Sequence, residues 1–201
     1  MSWSISAGRH LRVKPGGPSL RVMALRTVIF SAWGVFWLYW LIAAVGAKRG
    51  ASASGRIPAT GLLFLVAFVL TRVFNTHTLA VHSLVLQVVG TVLFAAGLAL
   101  CVWARICLGR NWGMPMTKKE EPELVTSGPY RFVRHPIYSG ILLALLGTAL
   151  ATNLYLLIAL VIGGAYFVYS ATVEERLMSD SFPAAYGTYK SATKMLIPFV
   201  L

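Results

Sequence analysis

Long apolar runs, separated by short polar segments, make up most of this chain. Runs of this length are typical of helices that cross a lipid bilayer. The run that ends at Ala151 would be only about 22 Å long as a helix, less than the hydrocarbon thickness of about 30 Å, so we expect it to pair with the next run in a tight hairpin. We predict five spans, over residues 25–45, 59–74, 84–103, 137–151 and 154–173.

The pattern therefore predicts an all-α, polytopic membrane protein with about five transmembrane helices. The composition agrees, because 57% of the 201 residues are apolar and only 12% are charged. Gly90 and Gly97 in the third span offer a surface for close helix contact. Along the chain we predict a basic N-terminal tail (1–21), three transmembrane helices (22–104), and a catalytic region of loop, helical hairpin and helical C-terminal tail (105–201).

The net charge of the chain is +12. In a soluble protein this excess would indicate nucleic-acid binding, but here Lys and Arg lie outside the apolar runs, where they set orientation and contact anionic lipid headgroups. We therefore predict membrane lipids as partners and no nucleic acid. Twelve of the 18 Lys and Arg residues fall on the side of the 104–136 loop and the C-terminal tail. This side is predicted to be cytoplasmic, although five cations near the N-terminus oppose that orientation.

Turn formers, cations, aromatics and a histidine are concentrated between residues 123 and 140. Gly128 and Pro129 indicate a tight turn, and Pro136 suits the first turn of the next helix because its missing N–H does no harm there. Arg134 and His135 come just before that helix, so their polar ends should lie where hydrocarbon meets water. Such a position can hold a polar cofactor beside a lipophilic substrate.

Two adjacent carboxylates, Glu174 and Glu175, follow the fifth apolar run. Since the last two spans are expected to form a hairpin, these carboxylates should return to the membrane face that holds the basic motif. An unpaired carboxylate there would be costly. We therefore expect one of them to pair with Arg134, His135, Arg176 or a cationic ligand.

Three ordered groups of residues in the second half of the chain resemble a known signature. They are Leu124-Val125-Thr126-x-Gly128-Pro129-Tyr130-Arg131, then Arg134-His135-Pro136-x-Tyr138-x-Gly140, and, after an apolar hairpin, Glu174-Glu175, followed by Phe182, Tyr186, Tyr189 and Ile197-Pro198. The set is similar to the C-terminal signature of the isoprenylcysteine carboxyl methyltransferase and phospholipid methyltransferase superfamily. The resemblance implies an integral membrane enzyme that encloses S-adenosylmethionine between the loop, the hairpin and the tail.

The resemblance also implies roles for individual residues. Cofactor contacts would come from Leu124, Val125, Gly128, Tyr130, His135, Tyr138 and Glu174. Catalytic roles would fall to Arg134 and Glu175, substrate contacts to Arg131, Tyr186 and Tyr189, and no metal is required. A carboxylate nucleophile would be oriented by Arg134, whereas an amine would need a base such as Glu175 or His135. The G-x-G-x-x-G turn and βαβ pattern of soluble methyltransferases are absent from the sequence.

Several polar and aromatic residues also have plainer interpretations. Tyr186 and Tyr189 could simply pack an amphipathic tail. His77 and His82 have no partners at metal-ligand spacing, so we interpret them as interfacial. Trp33, Trp37, Tyr39 and Trp40, which are concentrated in the second half of the first span, are typical of an interfacial aromatic belt.

The sequence favours an S-adenosylmethionine-dependent methyltransferase that acts on a lipid-borne or isoprenoid acceptor. Carboxyl methylation of an isoprenylcysteine-like substrate is preferred, and N-methylation of phosphatidylethanolamine is the first alternative. A sterol-reductase-like enzyme that uses NADPH and a non-catalytic membrane scaffold are further alternatives. The Arg-His-Pro-x-Tyr and Glu-Glu pairing favours the methyltransferase, with a lipophilic or prenylated molecule as its partner.

Overall fold

The computed structural model describes residues 20–45, 50–51, 79–112, 118–119 and 123–198. In this part of the chain the α-helices are α1 (Leu20–Val45), α2 (Leu84–Leu108), α3 (Pro136–Ala151), α4 (Leu157–Ser181) and α5 (Pro183–Ala192). Short 3₁₀ helices cover Gly109–Asn111, Gly128–Arg131 and Leu154–Leu156. One two-residue antiparallel pairing joins β1 (Gly50–Ala51) to β2 (Lys118–Lys119). The predicted all-α class is confirmed.

Three stretches of the described chain are long and apolar enough to cross a membrane, namely Leu20–Ile42, Leu84–Leu108 and Leu154–Ser181. Helix α3 is a shorter apolar helix. These helices confirm a polytopic membrane protein. The predicted span over 59–74 and residues 1–19 of the predicted basic tail lie outside the described residues.

Helix α4 continues well beyond the apolar run that the sequence assigned to the fifth span. We predicted that the span ends before Glu174, but the helix runs on to Ser181. Phe182 then adopts φ −135° and ψ 62°, outside the helical region. It precedes Pro183, which disfavours the helical conformation in the residue before it. The two glutamates therefore stand on a regular helix and not at its frayed end.

Glycine residues allow α2 and α3 to pack with their backbones almost in contact. A Cβ atom on Gly97 would lie 2.5 Å from the backbone oxygen of Gly140 and 2.5 Å from the backbone nitrogen of Ala144. A Cβ on Gly90 would lie 2.5 Å from the backbone nitrogen of Ala151. Both glycines thus make the close helix contact predicted for them, a packing mode common in membranes.

Helix α1 packs on α3 through its tryptophans. The indole Nε1 of Trp33 donates a buried hydrogen bond to the Thr148 hydroxyl at 3.0 Å. The ring of Trp33 also contacts those of Phe36 and Phe94, with centroids 5.7 Å apart in both pairs. Trp33 and Phe36 are both buried, so Trp33, which was predicted to belong to an interfacial belt, lies in the core.

The turn between α3 and α4 is buried inside the protein. Thr152 and Asn153 are each only 1% exposed. The segment before α2 satisfies the turn's backbone, because Val81 N donates to the Thr152 carbonyl at 3.2 Å and Leu154 N donates to the Leu79 carbonyl at 3.1 Å. The helices form the predicted hairpin, which returns the C-terminal end of α4 to the end of the bundle where α3 begins.

Candidate functional site

The site begins at a turn that requires glycine. Gly128 has φ +61°, in the left-handed region that other residues rarely adopt. A Cβ atom there would also lie 2.5 Å from the Cys107 sulfur of α2. The tight turn buries Tyr130, and that burial raises the pKa of its phenol. Tyr189 of α5 donates its hydroxyl to the Tyr130 carbonyl at 2.6 Å, so α5 is tied to this turn.

The residues before Pro136 are not helical, with His135 at φ −124° and ψ 61°, and they pair with the C-terminal segment that follows α5. Arg134 N donates to the Lys194 carbonyl at 2.8 Å, and His135 N donates to the Met195 carbonyl at 3.1 Å. The position before a proline avoids the helical conformation, which leaves these amides free for such a pairing. As a result, the segment that follows α5 lies against the basic motif.

Glu175 is a buried carboxylate that is held by two cations. Its Oε1 lies 2.6 Å from Arg134 Nε, and its Oε2 lies 2.8 Å from Lys190 Nζ. Arg134 Nη1 also donates to the carbonyls of Lys190, at 3.2 Å, and Thr193. The side chains of Arg134 and Glu175 are only 8% and 4% exposed, so this pair is largely shielded from water. The predicted pairing of a glutamate with Arg134 is therefore confirmed.

Glu174 faces a different set of groups. Tyr138 donates its hydroxyl to Oε1 of Glu174 at 2.5 Å. His135 Nδ1 lies 3.4 Å from Oε2. The rings of His135 and Tyr138 are stacked 5.5 Å apart, and Tyr138 stacks in turn on Phe167 at 4.6 Å. The side chain of Glu174 is 27% exposed, far more than that of Glu175.

His135 lies between the two carboxylates. Its Nε2 is 3.6 Å from Oε1 of Glu175, beyond hydrogen-bonding distance, and this buried atom has no hydrogen-bond partner within the described structure. Burial alone would lower the pKa of His135, but the two carboxylates close to its ring outweigh that effect, so the pKa is raised above its ordinary value. The two glutamates thus stabilise the protonated form of His135, and its Nε2 is not engaged by Glu174.

Most of the residues predicted for the site do come together. Those that meet around the end of α4 are Arg134, His135, Tyr138, Glu174, Glu175, Tyr186 and Tyr189. Tyr186 is buried, and burial also raises the pKa of Tyr189 to about 12. Their catalytic, cofactor and substrate roles stay predictions.

The remaining predicted residues lie in the segment that leads to the tight turn and at the end of the turn itself. Leu124 and Val125 are half-buried and precede the turn. The exposed Arg131 places its guanidinium 4.5 Å from the centre of the Phe132 ring. This position does not bring Arg131 to the carboxylates.

The sequence did not reveal two polar groups of the cluster. Lys190 contacts Glu175, and Ser139 donates its hydroxyl to the Leu196 carbonyl at 2.5 Å. A single lysine in an amphipathic helix looks like any solvated cation, so only the position of α5 in the fold identifies its partner. Arg176, named as a candidate partner, is exposed instead.

Comparison with known proteins gives a family match over the same region. The family model described as phospholipid methyltransferase matches residues 85–185, which is half of the chain and contains α2, α3, α4 and both glutamates.

Individual relatives match shorter segments. The chain is 34% identical over 79 residues to methanethiol S-methyltransferase of Pseudomonas sp. (strain GM41(2012)) and 40% identical over 78 residues to methanethiol S-methyltransferase 1 of Bradyrhizobium diazoefficiens, in each case 39% of this chain. It is 31% identical over 94 residues, 45% of this chain, to the cobalt-zinc-cadmium resistance protein CzcN of Cupriavidus metallidurans. The matched segments span 30%, 27% and 43% of the length of these relatives.

Proposed function

The chain belongs to the phospholipid methyltransferase family, and from that premise we propose that it is an integral membrane methyltransferase that uses S-adenosylmethionine and acts on a lipophilic acceptor. One observation carries the proposal: the Arg134–Tyr138 motif and the Glu174–Glu175 pair form a single buried polar cluster where α3 begins and α4 leaves its apolar run. The site faces the cytoplasm in the orientation that the distribution of Lys and Arg predicts.

The residues of the cluster fit the polar groups of S-adenosylmethionine. The partly exposed Glu174 can pair with an ammonium group. The buried Nε2 of His135, which has no hydrogen-bond partner among the described residues, can donate to a carboxylate or to a ribose hydroxyl. Gly128 and Tyr130, with Leu124 and Val125 before them, are the groups proposed to surround the nucleoside.

The cofactor would supply a methyl group made electrophilic by its sulfonium. The protein would then align the nucleophile with that methyl group and exclude water, which are the main demands of an in-line displacement. Tyr138 is suited to this task because its ring is fixed between His135 and Phe167, while its hydroxyl fixes Glu174.

The surroundings of Arg134 bear on the choice of acceptor. Carboxyl methylation of an isoprenylcysteine-like substrate, preferred from the sequence, would use the planar fork of Arg134 to grip a carboxylate. That fork already donates to Glu175 and to two backbone carbonyls of the C-terminal segment. We therefore rank a small lipophilic thiol first, because a single sulfur atom needs no such fork. Two relatives named methanethiol S-methyltransferase support this ranking.

Purified protein in detergent or lipid nanodiscs, incubated with methyl-labelled S-adenosylmethionine, tests the proposal. The acceptor panel contains methanethiol, a farnesylated cysteine derivative and phosphatidylethanolamine. We expect label in dimethyl sulfide, and less with Glu174→Gln than with the wild type. If label appears only in the methyl ester of the farnesylated cysteine derivative, carboxyl methylation is the reaction and the thiol ranking is wrong.

Calorimetry separates the methyltransferase from the other functions considered. We expect S-adenosylhomocysteine to bind and NADPH not to bind. Binding of NADPH alone would indicate a sterol-reductase-like enzyme. Binding of neither molecule would overturn the assignment of the cofactor.

A further inference from the structure

Glu174 and Glu175 are neighbours on α4 but lie in different environments. Successive residues of a helix point about 100° apart, so the two carboxylates face different neighbours. Both oxygens of Glu175 are engaged by side-chain cations, and its side chain is 4% exposed. Glu174 keeps 27% of its side chain exposed. A ligand can therefore reach Glu174 directly, whereas contact with Glu175 would require it to displace Arg134 or Lys190.

Arg134 joins three parts of the chain at one guanidinium. The Arg134 side chain donates to the Glu175 carboxylate on α4. It also donates to the carbonyl of Lys190, in the last turn of α5, and to the carbonyl of Thr193, just after α5. Carbonyls at a helix C-terminus lack partners within the helix and attract cations. The guanidinium thus fastens the end of α5 to α4, with only 8% of its side chain exposed.

The C-terminal segment held in this way also touches the ligand-facing part of the motif. Met195 accepts the backbone N–H of His135, and Leu196 accepts the hydroxyl of Ser139. A shift of this segment would therefore move His135, whose ring lies against both glutamates. Arg134 can influence ligand binding through this path without contact with the ligand.

We infer that Arg134 and Glu175 are positioning residues that hold the segment from Pro183 to Leu196 on the motif, while the contact with the cofactor falls to Glu174 as in the proposed function. The inference rests on the proposed function for its cofactor, and it departs from the catalytic roles predicted for Arg134 and Glu175. The acceptor must then be bound by groups other than Arg134.

Affinity for S-adenosylhomocysteine, measured by calorimetry, tests the division of roles. Glu174→Gln should weaken binding about ten- to a hundredfold, the usual effect of losing a hydrogen bond to a charged group. Arg134→Gln and Glu175→Gln should each weaken binding less. Because the two residues share one ion pair, the double variant should lose less affinity than the two single losses combined. Arg176→Gln removes an exposed cation beside Glu175 and is the matched control, with unchanged affinity expected.

Hydrogen exchange of the amides in residues 183–196 supplies a readout specific to positioning. Exchange should become faster in Arg134→Gln and Glu175→Gln, stay as in the wild type in Glu174→Gln, and be partly restored in Arg134→Lys. The acceptor KM should be the same in Arg134→Lys and the wild type. An Arg134→Gln variant with a raised acceptor KM but unchanged exchange and cofactor affinity would overturn the inference.

The two proposals fail in different ways. If wild-type protein binds no S-adenosylhomocysteine, the proposed function is wrong, yet exchange in the unliganded variants still tests the role of Arg134 and Glu175. If the wild type binds and Glu175→Gln loses more affinity than Glu174→Gln, the division of roles is wrong while the function stands. Tm measurements on each variant verify that it is folded, and Glu175→Asp replaces Glu175→Gln if the latter is not.

Discussion

Tyr138 donates its hydroxyl to Glu174 at 2.5 Å while its ring is stacked on His135. One side chain thus fixes both the acidic and the basic partner of the proposed cofactor site. The hydroxyl and the ring make separate contributions, because the ring also packs on Phe167 of α4. These contributions can be measured independently.

We predict that Tyr138→Phe lowers the free energy of unfolding by about 1.5–3 kcal/mol, the usual value of a hydrogen bond to a charged group. Tyr138→Ala should cost more, about 3–5 kcal/mol by analogy with other large-to-small substitutions in cores, because it also removes the stacked ring. Denaturant titration in a fixed detergent measures both. Equal losses in the two variants would mean that the stacked ring contributes nothing beyond the hydroxyl.

The second prediction concerns the close contact between α2 and α3. Gly97→Ala should destabilise the protein by about 1–3 kcal/mol, because the new methyl group would collide with the backbone of α3. Gly164→Ala is the matched control: nothing lies within 4 Å of a Cβ at that position. In a helix interior this second change should be neutral or stabilising by up to about 1 kcal/mol. Thermal unfolding in detergent compares them, and equal Tm values would contradict the close packing.

The third prediction concerns pH. The pKa of His135 is raised because the two glutamates outweigh the effect of burial, so the folded state binds this proton more tightly than the unfolded state does. The resulting stabilisation is fully present below about pH 6.5, the ordinary histidine pKa, and is lost as pH rises through the raised value. Tm measured from pH 6 to pH 9 should therefore fall more in the wild type than in His135→Gln. Parallel curves would argue against a charged His135.

The fourth prediction concerns the orientation of the bundle. Single cysteines at Ser127 and Ser181, in a background without Cys101 and Cys107, should react with an impermeant thiol reagent only after cell lysis. Ser83 precedes α2 at the opposite end of that helix, so Ser83→Cys should react in intact cells and serves as the positive control. The reverse labelling pattern would place the proposed site on the outer face.

Local features of the site could be predicted from the sequence because they follow from local chemistry. Gly128 permits the left-handed backbone that the tight turn requires, and Pro136 fixes its own φ, so the turn and the start of α3 were predictable. That one of the two glutamates pairs with a nearby cation followed from the cost of a bare carboxylate near the membrane, but the choice of Glu175 and Arg134 did not. The contribution of Lys190 did not follow, because it depends on where α5 lies.

It was harder to predict which side of each helix contacts lipid and which side contacts protein. In a membrane, the positions that contact lipid and those that contact protein are both apolar, so the sequence pattern does not separate them. Trp33 was assigned to an interfacial belt for this reason, yet it is buried against α3 and bonded to Thr148. The end of α4 was also missed, because charged residues stop a membrane span but do not stop a helix.

The short helix α3 has a consequence for how the protein meets its bilayer. Its last residue, Ala151, and the turn after it are buried, and the backbone of that turn is bonded to residues 79–81 rather than left to lipid. Irregular backbone at membrane depth is tolerated where protein surrounds it. Bilayer thickness therefore acts on the longer outer helices, such as α2 with its exposed Val85, Val88 and Val92. Hydrophobic mismatch would act on those helices directly, and it would reach the inner helix α3 only through the protein contacts that α3 makes with them.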